Sequence, residues 1–193
     1  FANLQNADSK FKTKLYNEAA KLYEEETKKE GFKSLEAEAK EEVILKLTQS
    51  LILSNTFEKA LVQITKISIS DKSKNYPFYL LLKAKAFEKY LQTYRYQMQQ
   101  LEVEGEQDIL KRTPAYFDEQ IREISQNLWK NRFDYLNIVL TENLFLFDMS
   151  SADAELIPTF YDYLITQFQT NYQWQGIKDF NIDKMLKEAS EVE

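Results

Sequence analysis

Three glycines and three prolines in 193 residues are too few to turn the corners of a sheet protein of this size. Each β-hairpin needs residues that reach positive φ or pre-set a turn, chiefly Gly, Pro, Asn and Asp. A helix needs only a cap at either end. The shortage of turn residues therefore predicts an all-α chain built from long helices. An apolar fraction of 44%, with 14% aromatic residues, supplies a packed core and sets the chain apart from disordered sequences. That core serves one domain or two small subdomains.

The residue types that are missing narrow the chemistry. Without Cys there is no disulfide framework, thiolate zinc site or cysteine nucleophile. Without His the commonest general base and metal ligand is gone, and with it the Ser-His-Asp triad and the Glu-x-x-His di-iron bundle. Gly31, Gly105 and Gly176 are isolated, so no phosphate-cradling loop can be built from them. The chain is expected not to be an enzyme and to need no cofactor or metal. Carboxylate-only chemistry would fall to Asp118, Glu119 and Glu123, but such clusters are common on polar helix faces. Asp179, Asn181 and Asp183 are spaced like the opening of a calcium loop; Lys184 and Ser190 stand where its Gly and Glu belong. Asn181 capping a final helix, Ile182 to Ala189, explains the same residues.

The net charge of −6 is unevenly spread. Residues 58–96 carry eight basic and three acidic side chains, residues 97–193 eight basic and eighteen acidic. The acidic half would repel phosphates, so no nucleic-acid partner is expected. The basic middle (Lys59, Lys66, Lys72, Lys74, Lys83, Lys85, Lys89, Arg95) reads first as a solvated face, and next as a surface for an acidic partner or the chain's own acidic half. No apolar run reaches the ~20 residues of a membrane span. The chain opens on Phe1, which suggests a removed upstream piece and leans the expected location toward export or a bacterial envelope, with the cytoplasm as the other reading.

Eight helices are expected. Phe11, Leu15, Ala19, Leu22 and Tyr23 set one at 9–30, ended by Gly31. A second runs from Leu35 to Leu53, and a third, capped by Thr56, to Ile67. Ser68 to Tyr76 reads as loop, with Pro77 in the first turn of a fourth helix. Thr113-Pro114 starts a helix carrying Phe117, Ile121, Ile124 and Leu128, and helix is expected to resume from Phe133 to Phe147. Ser150 to Asp153 resembles a capping signal before the aromatic-rich stretch Leu156–Tyr172, with Pro158 near its first turn. The division expected is 1–101 as helical hairpins, 102–113 as an acidic connection and 114–193 as a C-terminal helical subdomain packed on the first.

Residues 41–68 resemble one repeat of the tetratricopeptide family. With Ala60 at the family's small position 20, the large apolar positions fall on Ile44, Leu47, Leu51, Ile64 and Ile67. Thr48 occupies the small position 8, Asn55 the inter-helix turn and Phe57 the aromatic position 17. The departures are Ile67 for the usual Ala and Lys72 for the closing Pro. Upstream, Tyr16, Ala19 and Tyr23 match a second helix, preceded by too little chain for a good first helix; downstream, Leu80, Ala84 and Phe87 match a first helix, but no position-20 Ala follows. One hairpin cannot bury its face alone, so flanking hairpins are expected.

The resemblance implies an α-α superhelix and a groove lined by first helices: Glu42, Leu45, Gln49, Ile52, Phe78, Leu81, Lys85 and Lys89. The Lys and Asn that clamp a terminal carboxylate in chaperone-binding members are replaced by Leu45 and Gln49. The function implied is a non-enzymatic scaffold or adaptor, with another protein or peptide, helical and apolar, as partner. The alternative is a small-ligand carrier using Phe160, Tyr161, Tyr163, Phe168, Tyr172 and Trp174, although helical aromatics are more often core.

Overall fold

The computed structural model describes residues 2–98, 108–147, 155–170 and 187. The chain is all-α: no strand occurs among the described residues, whose one β feature is an isolated bridge. It forms two compact units, Phe1–Phe117 and Asp118–Glu193.

The first unit begins with the hairpin α1 (Ala2–Lys12) and α2 (Tyr16–Thr27). A single helix over 9–30 was expected, and the break at 13–15 corrects it. Lys14 takes φ 62, Leu15 N–H donates to the Lys10 carbonyl and Lys14 N–H to that of Phe11, both at 2.9 Å. These are the two bonds of a Schellman stop. The fold folds α2 back on α1 there and buries Ala7, Ala19 and Tyr23. Gly31 is no cap either: α2 ends at Thr27 with Lys28 in a right-handed conformation that needs no glycine, and Gly31 lies inside the short α3 (Glu30–Lys33).

α4 (Ala37–Leu53) and α5 (Phe57–Thr65) follow the expected boundaries closely and form the second hairpin. Its turn repeats the first: Asn55 has φ 57, Thr56 N–H donates to the Leu51 carbonyl at 2.8 Å and Asn55 N–H to that of Ile52 at 3.0 Å. Thr56 stands at the N-cap position, but its hydroxyl meets Ser54 Oγ at 3.1 Å instead of a helix N–H. α2 packs on α4, so the hairpins stack, and α6 (Tyr76–Met98) packs on both α4 and α5. The irregular 67–75 segment is pinned to α4: Asn75, buried, donates to the Glu38 carbonyl and to Glu41 Oε2, each at 3.1 Å. Tyr79 and Tyr90 of α6 donate to the carbonyls of Ile67 (3.1 Å) and Leu110 (2.9 Å). Part of the expected connection at 102–113 lies outside the described residues. From Ile109 to Lys111 it forms a 3₁₀ turn against α5.

α7 (Pro114–Lys130) starts as expected, with Pro114 at its first position and Tyr116 N–H donating to Thr113 Oγ1 at 3.4 Å. In the second unit its Ile121, Ile124 and Leu128 are buried. The expected helix at 133–147 is absent and three 3₁₀ turns stand there: Arg132–Tyr135, Leu140–Glu142 and Leu144–Leu146. A long-range pairing competes with it. Leu140 N–H donates to the Pro158 carbonyl at 2.9 Å and Phe160 N–H to that of Ile138 at 2.8 Å, drawing Val139 into extended backbone. Pro158 thus belongs to this bridge, and α8 (Phe160–Thr170) starts only after Thr159. Thr159 and Asp162 form a reciprocal cap: Thr159 N–H reaches Asp162 Oδ2 at 3.0 Å, and Asp162 N–H reaches Thr159 Oγ1 at 3.2 Å. The capping signal at 150–153 and, apart from Lys187, the final helix at 182–189 lie outside the described residues.

Candidate functional site

The expected groove residues separate by burial. Leu45, Gln49, Ile52, Phe78 and Leu81 are buried in the first unit, where α4 and α6 meet their neighbours. These five are core and cannot line an open groove. Glu42 and Lys89 are exposed and Lys85 half-buried. The repeat register did not show that the helices packed on α4, namely α2, α5 and α6, would leave these residues buried.

Lys85 and Lys89 continue along α6 to Gln92 and Tyr96, at helical spacings that put all four on one stripe. Tyr96 retains 77% of its surface, the largest exposure of any aromatic in the described core-forming elements. The groove register did not include this exposed ring. Its signal was present as the i, i+4, i+7, i+11 spacing beyond the expected groove.

Glu42 belongs to a different cluster. A cleft of about 240 Å³ is lined by Leu4, Asp8, Tyr23, Glu42 and Lys46 among others. Lys46 Nζ lies 3.1 Å from Asp8 and 3.0 Å from Glu42, and Tyr23 donates its phenolic proton to Asp8. Burial works against the Lys46 charge, yet Glu42 and Asp8 outweigh it and hold the ammonium above its ordinary pKa. Burial and the Asp8 hydrogen bond together raise the Tyr23 phenol. The ammonium fills the space between the two carboxylates, so the cluster ties α1, α2 and α4 together.

In the second unit Phe160, Tyr161, Tyr163 and Phe168 are buried and pack ring on ring. Phe147 lies 4.7 Å from Tyr163 and 5.6 Å from Phe160, and Trp129 lies 4.9 Å from Phe168, between centroids. Tyr172 and Trp174 lie outside the described residues. Glu123 accepts from Gln120 at 2.9 Å, and Asp118 and Glu119, adjacent on a helix, point to different sides. Among the described residues no three acidic side chains gather in a metal-binding arrangement, and the calcium-like residues 179–183 lie outside them. No helix among them is long and apolar enough to cross a membrane.

No protein-family model, curated protein or solved structure matches this chain.

Proposed function

We propose that the chain is a non-enzymatic scaffold whose first unit, built from tetratricopeptide-like hairpins, docks an acidic segment of another protein along α6. The observation that carries the hairpin reading is the correspondence between α1/α2 and α4/α5. Lys14 and Asn55 hold the same left-handed turn; five residues on, Ala19 and Ala60 are wholly buried; seven before, so are the small Ala7 and Thr48. Tyr23 and Ile64 continue the register, also buried. Small residues at those places let two helices of a hairpin approach closely. α6 departs from the pattern, running on through Met98 where a third hairpin would turn.

Charge favours an acidic partner. Lys85 and Lys89 precede Tyr96 on the same stripe of α6, and basic side chains outnumber acidic ones across 58–96. Tyr brings a large apolar area with one polar end at low entropic cost, which is why it recurs as an interface anchor. Rim charges of this kind steer association more than they fix affinity.

The test is capture of partners from an extract of the native source by the parent chain and by two variants, Lys85→Glu/Lys89→Glu and Tyr96→Ala. Lys89 and Tyr96 are exposed and Lys85 half-buried, so matching circular dichroism and melting are required of each variant before its capture is compared. A protein retained by the parent should be lost by both variants, and more readily at high salt. Equal retention by all three would remove the α6 stripe as the docking site.

A further inference from the structure

A second cleft, of about 460 Å³, lies between α5, α6 and the segment from Asp108 to Tyr116. Three cations line it, Lys66, Lys83 and Arg112, against one carboxylate, Asp108. They come from three separate places: the end of α5, the middle of α6 and the approach to α7. No run of the sequence groups them; the packing of the first unit does.

Two of the cations are laid across rings. Lys83 Nζ stands 5.9 Å from the centroid of Phe87 and 5.6 Å from that of Tyr79, and the Arg112 guanidinium carbon stands 5.0 Å from that of Tyr116. A long side chain held on a ring face surrenders less freedom when its charged end meets a ligand. Asp108 is turned toward its own chain, with Oδ1 accepting from Leu110 N–H at 3.1 Å and Oδ2 3.8 Å from Lys111. Three cationic side chains thus line the cleft with one carboxylate, and Val62 and Ile109 give it apolar wall beside Thr65 and Tyr116. The volume falls within the range of small-molecule sites, about 300–1,000 Å³.

We propose that this cleft binds a small organic dianion, its charged end against Lys66, Lys83 and Arg112 and its hydrocarbon part on the apolar wall. The excess of cationic over acidic side chains in the lining favours an anion, and desolvation against Val62 and Ile109 strengthens the attraction relative to an exposed lysine pair. A phosphate monoester and a dicarboxylate share that chemistry. A planar guanidinium grips either one through two parallel N–H bonds, whereas lysine acts as a point charge. This site is independent of the α6 docking stripe, and the two can fail separately.

Calorimetric titration of the full chain at low salt, with phenyl phosphate, phenylmalonate and phenol as probes, tests the proposal. At least one anion should bind saturably, and whichever binds tighter identifies phosphate or carboxylate as the native headgroup. Neutral phenol should not bind. Lys66→Glu and Arg112→Ala should each weaken the anion about tenfold or more, a loss of roughly one decade per well-placed charge. Lys72→Glu, at an exposed position of the 67–75 segment, should bind as the parent. Lys66 is solvent-exposed, so its substitution leaves the core intact, and matching melting curves verify that for each variant. The proposal is overturned if neither anion binds below about 10 mM, a range that already covers weak sites. It is also overturned if phenol binds as well as phenyl phosphate, or if Lys66→Glu and Arg112→Ala both bind like the parent.

Discussion

Lys14 holds a backbone conformation that L-residues with a Cβ avoid. Its φ of 62 lies in the left-handed region, where the Cβ crowds the following carbonyl at a cost of about 1–2 kcal/mol. Glycine is free of that cost, and asparagine, as at Asn55, bears it better than lysine. Lys14 is exposed, so its side chain contributes no burial to offset the strain. Lys14→Gly should therefore raise the unfolding free energy by about 1 kcal/mol, read from the urea midpoint at constant slope. An unchanged or lower midpoint would mean that the added freedom of the unfolded chain cancels the relief. Gln49 shows the opposite kind of misfit. It was read from its register as facing a groove, yet it is buried, and its Oε1 meets no hydrogen-bond donor among the described residues.

At the scale of elements, α8 depends on its first turn. The Thr159–Asp162 cap satisfies N–H groups that the helix leaves open, and Thr159 also sits in the bridge with Val139. Thr159→Ala should lower stability by about 1 kcal/mol, and Asp162→Asn by less, measured by thermal unfolding. If Thr159→Ala melts with the parent, the bridge alone fixes the start of α8. The same element explains why its boundary was read too early. Pro158 is a good first-turn residue, but its carbonyl is claimed by Leu140, a partner no local pattern announces. Helices α4, α5 and α7 were legible because periodicity, Asn55 and Pro114 all agree within a few residues. The break at 13–15 was not, since its turn residue is a lysine and only the stacking of α2 on α1 and α4 selects it. The sites followed the same rule. Lys85 and Lys89 could be read along one helix, whereas Lys66 and Arg112 meet only once α5 and the 108–116 segment are packed together.

At the scale of the molecule, the first unit is held by phenols as well as by apolar burial. Tyr23 links α2 to Asp8 of α1, Tyr79 links α6 to Ile67, and Tyr90 links α6 to Leu110. Burial raises all three above the ordinary tyrosine value, with Asp8 adding to the rise at Tyr23; Tyr90 is pushed up to about 12. A phenol whose pKa is higher folded than unfolded stabilises the fold fully while both states keep the proton, that is below about pH 10. Above that the unfolded chain ionises first, and the contribution of Tyr90 is lost as pH rises through about 12. Stability should thus decline between pH 10 and 12 as these donors become anions facing carbonyl and carboxylate oxygens. Tyr90→Phe separates this effect from the general titration of lysines. The variant gives up one hydrogen bond, so it should be less stable than the parent at pH 8, by about 1 kcal/mol. Its alkaline decline should be shallower, because one proton fewer is released on unfolding, and the gap between the two stability curves should close as pH rises above about 10. Curves that stay parallel from pH 8 to 12 would show that Tyr90 ionises alike in both states and that its bond to Leu110 does not hold the proton in place.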